Sequence, residues 1–322
     1  MAKIVISARL PGRLSEILAG HQIIAPAADR AVLDPVELRA ALADADALLP
    51  LLSVRVDQAL LDAAPRLRIV ANYAVGYDNI DVPAATRRKV LVTNTPGVLT
   101  EATADLTMAL LLAAARRLGE AMAVARSGQW RGWEPEQLIG LDLDGAELGL
   151  IGLGRIGQAV ATRARAFGMR IVYAAPRPVA PEVEAALGAR HVPLETLLAS
   201  ADVVSVHCPL APATRHLIDA RALQRMKPEA ILINTARGAI LDEGALIGAL
   251  ERGHLGGVGL DVFEDEPRIP QRLSAIPRAI LLPHIGSAAR KARARMAETA
   301  AQSIADLFAG RRPAHPLNPE VL

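Results

Sequence analysis

The sequence predicts an α/β protein made of two doubly wound parallel-sheet units. Three observations carry that expectation. Short β-branched or Leu-rich runs alternate throughout with Ala/Leu/Arg-rich helical stretches, the pattern of parallel strands with helices on both faces. The alternation restarts near Gly145, after a long Ala-rich segment. The chain of 322 residues is too long for one typical domain and suits two.

Taken in order, the strand candidates of the first unit are residues 3–7, 22–25, 47–51, 68–72 and 90–93, with helical patterns between them at 36–43 and 56–63. Residues 101–127 are Ala-rich and meet no Gly or Pro until Gly119, which predicts one long helix. The second unit offers strands at 146–151, 170–174, 203–207, 230–234, 257–260 and 280–282. A last helical pattern covers 287–307. The pattern alone puts a boundary near residue 100 and leaves open which unit receives the last helix. No repeat, low-complexity tract or heptad pattern is present.

Composition narrows the function classes. Hydrophobic residues make up 52% of the chain and aromatic residues 2%, so the core is sizeable and aliphatic. Charged residues are 22% with a net charge of +2, and the Arg excess is dispersed. Nothing there favours nucleic acid or a membrane surface as partner. The single cysteine, Cys208, allows no internal disulfide and suits a reducing, cytoplasmic setting. The opening MAKIVISARL reads as a strand and not as a signal peptide. The most apolar run, 108–115, is too short to span a bilayer and reads as a buried helix.

A G-x-G-x-x-G motif stands at Gly152, Gly154 and Gly157, after an apolar strand candidate and before a helical pattern. That context marks a Rossmann-type dinucleotide site. Gly152 allows the tight turn, Gly154 lets backbone approach a pyrophosphate, and Gly157 lets the helix pack closely on the strand. The helix N-terminus then offers N–H groups and a positive dipole end to the phosphates. An NAD site carries an acid about 20 residues on, for the ribose 2′-hydroxyl. Here no acidic residue occurs between Gly152 and Glu182. Ala175 stands near the place of the acid and Arg177 follows two residues later, so NADP(H) is favoured and NAD(H) remains possible.

Three further segments end strands of the second unit: 233–239 (INTARGA), 259–267 (GLDVFEDEP) and 281–288 (LLPHIGSA). Reducing a 2-keto acid needs a cation for its carboxylate and carbonyl oxygen, and a proton donor for the developing alkoxide. Arg237 offers a bidentate fork. His284 is a fit general acid near neutral pH. A carboxylate beside it would orient the ring and favour its protonated form.

With these motifs on the page, the chain resembles the D-isomer-specific 2-hydroxyacid dehydrogenases, most of all their glyoxylate/hydroxypyruvate reductase branch. The likeness covers essentially the whole chain. It is densest from Asn72 to Ser287, through NYAVGYDNIDV, TPGVLTEATADLTMALLLAAARR, LGLIGLGRIGQAVA, HCPL, NTARG, GLDVFEDEP and LPHIGSA. It implies that Arg237 binds substrate, that His284 donates the proton and that Glu266, just before Pro267, pairs with His284. It implies that Asp261 holds the nicotinamide carboxamide and that the Val75 and Gly76 backbone binds the substrate carboxylate. Arg155 and Ile156 would lie along the pyrophosphate, and His207, Cys208 and Pro209 would form a loop beside the cofactor. Thr103, Thr235 and Ala236, with Gly286 after the histidine, would line the nicotinamide end. Glu264 and Asp265 match no role and read as solvated.

The resemblance also implies a dinucleotide-binding domain over 99–288 inserted into a flavodoxin-like substrate domain of 1–98 and 289–322, with helices at 100–127 and 287–307 as hinges. Trp133 either reaches a partner's substrate pocket or anchors a dimer loop, and both readings imply a homodimer. The chain departs from NADP-using members in one respect: Pro176 takes the place of the usual Arg, and Arg177 is shifted by one. A reductase of 2-ketogluconate or another 2-keto acid is the alternative within the family. A non-catalytic dinucleotide-sensing protein is the alternative outside it. No metal is implied.

Overall fold

Ten of the twelve strands are three or four residues long, and most of their apolar runs are buried because helices cover both faces of each sheet, the edge strand Gln22–Ile24 being largely exposed. The computed structural model describes Met1–Leu322. The chain divides into two compact units, Met1–Leu99 with Ser287–Leu322, and Thr100–Gly286.

The first unit holds β1 (Lys3–Ile6), β2 (Gln22–Ile24), β3 (Ala47–Leu49), β4 (Ile69–Ala71) and β5 (Leu91–Thr93). They form a parallel sheet in the flavodoxin-like order β2-β1-β3-β4-β5. Side chains alternate across it. Ile4, Ile6, Ala47 and Leu49 face the C-terminal helix Arg290–Phe308 through Ala297, Ala300, Ala301 and Ile304. Val5, Leu48, Val70 and Val92 pack on Leu38, Leu42, Leu61 and Ala84. The helix Pro35–Leu42 starts where the Asp34–Glu37 capping box satisfies its first N–H groups.

The second unit holds β6 (Glu147–Ile151), β7 (Arg170–Ala174), β8 (Ala189–His191), β9 (Val203–Val206), β10 (Ile231–Asn234), β11 (Gly257–Leu260) and β12 (Ala279–Leu281). The sheet is parallel in the order β12-β11-β10-β9-β6-β7-β8. Its direction of winding reverses between β6 and β9, which is where such sheets bind nucleotides.

Three expectations are corrected. The long helix of 101–127 is two helices, Thr100–Ala115 and Leu118–Arg126. Arg117 between them is left-handed, at φ 51°, and its guanidinium is held by Glu120. The Ala115 carbonyl is taken by the Leu141 N–H at 2.8 Å, a closeness open only to Gly140, whose Cβ would lie 2.1 Å from that oxygen. Edge strand β8 went unpredicted because Ala-Arg-His is no apolar run. The last helix starts at Arg290, three residues late, because Ser287 and Ala289 close a turn before it. No helix is long and apolar enough to cross a membrane.

Candidate active site

Six segments of the second unit predicted from sequence lie just past the carboxyl ends of its strands. The first follows β6. Gly152 has φ 97°, and a Cβ there would lie 2.9 Å from the Cys208 nitrogen and the His207 carbonyl. Only glycine lets this turn pass under the loop that follows β9. At Gly157 a Cβ would lie 2.4 Å from the Gly152 carbonyl oxygen, so the helix Arg155–Ala166 can press against the turn. At Gly154 nothing lies within 4 Å of a Cβ position. That glycine is the N-cap and no side chain caps the helix, so the first-turn N–H groups, at Arg155 and Ile156, lack an intramolecular acceptor. An open cradle beside an uncapped helix N-terminus fits a dinucleotide pyrophosphate.

His207, Cys208 and Pro209 follow β9. His207 Nε2 bonds Ser205 Oγ at 2.8 Å, and burial pushes its pKa down to about 4. Burial pushes the Cys208 thiol up to about 11, which makes it a poor nucleophile.

The ends of β10, β11 and β12 come together around the Glu266–His284 pair. His284 Nδ1 and Glu266 Oε2 are 2.7 Å apart, and Glu266 Oε1 accepts the Phe263 N–H at 3.1 Å. Partial burial opposes ionisation of Glu266. The hydrogen bond and charge of His284, the Phe263 N–H and the Arg237 charge outweigh it and hold the carboxyl below its ordinary value. About a third of each partner's side chain stays open, 32% for His284 and 35% for Glu266, so the pair is both held and reachable. His284 is left-handed at φ 53°. Asp261, buried at the end of β11, supports that bend by accepting the Ile285 N–H at 2.7 Å and the Gly286 N–H at 2.6 Å. Burial raises the Asp261 pKa against those two donors.

Arg237 follows β10. Asn234, buried, shapes its loop by donating to the Arg237 carbonyl at 2.8 Å and accepting the Ala236 N–H at 3.0 Å. The loop lies so close to the Phe263 backbone that a Cβ at Gly238 would stand 1.9 Å from it. The helix Thr100–Ala115 ties two of these loops together. Thr103 donates to the Gly286 carbonyl at 3.3 Å, and Thr107 Oγ1 lies 2.9 Å from Thr235 Oγ1.

In the first unit, Asn94 holds the Val75 carbonyl at 2.7 Å and Asn72 the Gly76 carbonyl at 2.8 Å. The N–H groups of Val75 and Gly76 donate to no protein acceptor. At the far edge of the second unit, Arg177 is exposed in the turn after β7 and pairs with no carboxylate. Trp133 is 81% exposed.

Sequence reasoning missed Asn234, Thr107 and Gly238, of which only Asn234 and Gly238 stand in a recognisable motif. It also placed Glu264 in solvent. That carboxylate instead receives Arg215 at 2.9 Å and His216 at 2.7 Å, and so ties the loop after β11 to the loop that follows β9. Asp265 is exposed, in an ion pair with Arg268.

Comparison with known proteins agrees with this geometry. Residues 108–286 match the family described as D-isomer specific 2-hydroxyacid dehydrogenase, NAD binding domain. A glyoxylate reductase of Thermococcus litoralis is 51% identical over 87% of this chain and 85% of its own. One of Thermococcus onnurineus is 46% identical over 99% and 97%. An NADPH-dependent glyoxylate/hydroxypyruvate reductase of Sinorhizobium meliloti, solved with NADP and malonate, superposes with a TM-score of 0.87 at 35% identity, covering 99% of this chain and 97% of its own. With the dinucleotide turn, the Glu266–His284 pair and these relatives in agreement, the chain belongs to the NAD(P)-binding oxidoreductases of the D-isomer specific 2-hydroxyacid dehydrogenase family.

Proposed function

We propose that this chain is an NADPH-linked, cytoplasmic reductase of small 2-keto acids, glyoxylate and hydroxypyruvate before others, giving the D-2-hydroxy acid. The observation that carries the reading is the half-open Glu266–His284 pair beside Arg237 at the strand ends. Arg237 binds the substrate carboxylate through its bidentate guanidinium fork and draws electron density toward the carbonyl oxygen. The free N–H groups of Val75 and Gly76, which have no protein acceptor, are candidate donors to a substrate carboxylate. His284 gives the Nε2 proton to the carbonyl oxygen as charge develops there, while Nδ1 stays on Glu266. A reduced nicotinamide, when bound, would supply the hydride to the carbonyl carbon. Asp261, with Gly286, Thr103, Thr235 and Ala236, lines that end of the cofactor, and His207, Cys208 and Pro209 border it. Gly152, Gly154, Arg155, Ile156 and Gly157 take the pyrophosphate.

Preference for NADP(H) rests on the exposed Arg177 and on the absence of any acid between Gly152 and Glu182. The small substrates rest on the names of the relatives. A homodimer fits the exposed apolar side chains of Trp130, Trp133 and Ile139, with Trp133 reaching a partner's substrate. Initial rates of NADPH and NADH oxidation with glyoxylate, hydroxypyruvate, pyruvate and 2-ketogluconate test the whole reading. Fast NADPH-linked turnover of the two small acids is expected. Turnover confined to 2-ketogluconate or to NADH overturns the substrate or the cofactor assignment. Trp133→Ala with unaltered kinetics removes its pocket role.

A further inference from the structure

The turn that carries Arg177 is pinned at both ends by side chains that the reaction does not use. Residues 175–179 run Ala-Pro-Arg-Pro-Val, so Arg177 stands between two prolines, each with its own φ locked. At the entry, His191 Nε2 lies 2.9 Å from the Ala175 carbonyl oxygen, which can only accept. At the exit, the Val179 N–H donates to Tyr173 Oη at 2.9 Å. Tyr173 in turn donates its hydroxyl hydrogen to Glu184 Oε1 at 2.6 Å. Tyr173 and His191 are register partners on β7 and β8, with ring centroids 5.0 Å apart. Tyr173 is fully buried. Its pKa is raised by burial and by Glu184, so the hydroxyl remains a donor across the working pH range. A buried tyrosine that accepts from this loop and donates to Glu184 in the following helix, Pro181–Leu187, does more than fill space.

We infer that Tyr173, Glu184 and His191 are positioning residues for cofactor choice, fixing the 175–179 turn so that Arg177 meets the ribose 2′-phosphate of NADPH. This rests on the NADP(H) reading above. The physical reason is preorganisation. A guanidinium on a loose loop must be ordered when phosphate binds, and the lost freedom subtracts from affinity. NADH has a hydroxyl in place of the phosphate and does not use Arg177, so loosening the turn penalises NADPH alone. The sheet edge β8 thereby sets selectivity through the backbone it holds.

The test measures kcat and KM for NADPH and NADH in Arg177→Ala, Tyr173→Phe, His191→Leu and His191→Gln, with thermal melts alongside. Tyr173→Phe and His191→Leu are expected to raise KM for NADPH about tenfold, the scale of one lost charge-assisted contact, with kcat and the NADH constants unchanged. His191→Gln, whose amide N–H can still reach the Ala175 carbonyl, is expected to keep the preference. If Arg177→Ala loses preference but both His191 variants keep it, the positioning role is overturned and the Arg177 assignment stands. If Arg177→Ala changes nothing, both fall. Equal losses with the two cofactors mean a structural role only and overturn the inference. Should Tyr173→Phe fail to fold, the half-buried edge residue His191 decides the matter through its Leu and Gln variants.

Discussion

His284 is held by three separate devices: Glu266 on Nδ1, the left-handed backbone at φ 53°, and Asp261 on the two N–H groups that follow. Under the proposed mechanism, removing the imidazole removes the proton donor but none of the dinucleotide turn. His284→Ala is therefore expected to lose about 10²–10⁴ in kcat, the usual worth of general acid catalysis, with NADPH affinity by fluorescence titration retained. Near-normal turnover would falsify the assignment. Glu266→Gln keeps an acceptor for Nδ1 but loses the charge. Losing one charge-assisted hydrogen bond to the imidazole is expected to lower kcat/KM about tenfold. The Glu266 pKa is lower folded than unfolded, so its stabilising contribution is present above the ordinary glutamate range and is lost as pH falls through the folded value. In Glu266→Gln that part of the acid sensitivity in urea melts should vanish; an identical pH profile would show that the pair does not stabilise the fold. Arg237, Glu266 and His284 were legible as candidates because each sits in a motif at a strand end, and the structure sets the Glu266–His284 pair beside the Arg237 charge. Thr107 was not, because in an Ala-rich helix only the position of Thr235 gives its hydroxyl a partner. Nor was Gly238, whose need appears only once the Phe263 backbone is placed against it.

Most strands were legible because a strand buried on both faces is a continuous apolar run, and the largely exposed edge strand β2 was legible through its paired isoleucines, Ile23 and Ile24. β8 was not, being a short, partly exposed edge with Arg190 and His191. The break at Arg117 escaped because its cause is distant: Leu141 and Gly140 arrive from elsewhere in the chain to end the helix at Ala115. The C-terminal segment gave no signal at all, yet it closes the open edge of the first sheet. Leu317 donates to the Val92 carbonyl at 2.8 Å, and Asn318 accepts the Val92 N–H at 2.8 Å while donating to the Val90 carbonyl at 2.9 Å. Asn318 is 1% exposed, so these groups have no water to fall back on. Asn318→Ala leaves a buried donor and acceptor unpaired, at about 1–3 kcal/mol. The urea midpoint is expected to fall with the slope unchanged. No shift would mean that the tail is dispensable to β5.

At the scale of the whole chain, the alternation of strands and helices gave two units but left the last helix unplaced, because an amphipathic helix pattern does not name the sheet it packs on. The buried residues answer that: Ala297, Ala300, Ala301 and Ile304 belong with Ile4 and Leu49 of the first sheet. The first unit is thus made of two separated stretches, whereas Thr100–Gly286 is continuous and contains both of its own apolar clusters. A continuous segment with a closed core has what it needs to fold alone. A fragment of 100–286 is therefore expected to unfold cooperatively in urea and to bind NADPH, since the glycine turn, Arg177 and the 207–209 loop all lie within it. NADPH at about 100 times Kd should stabilise it by about 2.7 kcal/mol through mass action. The same fragment keeps Arg237, Glu266 and His284 but lacks Val75 and Gly76, which are proposed to bind the substrate carboxylate, so on that proposal glyoxylate reduction is expected to be absent. A fragment that binds NADPH and also turns over glyoxylate at the full rate would remove the Val75–Gly76 backbone from the substrate site. One that fails to fold would show that the continuous stretch depends on the rest of the chain for its stability.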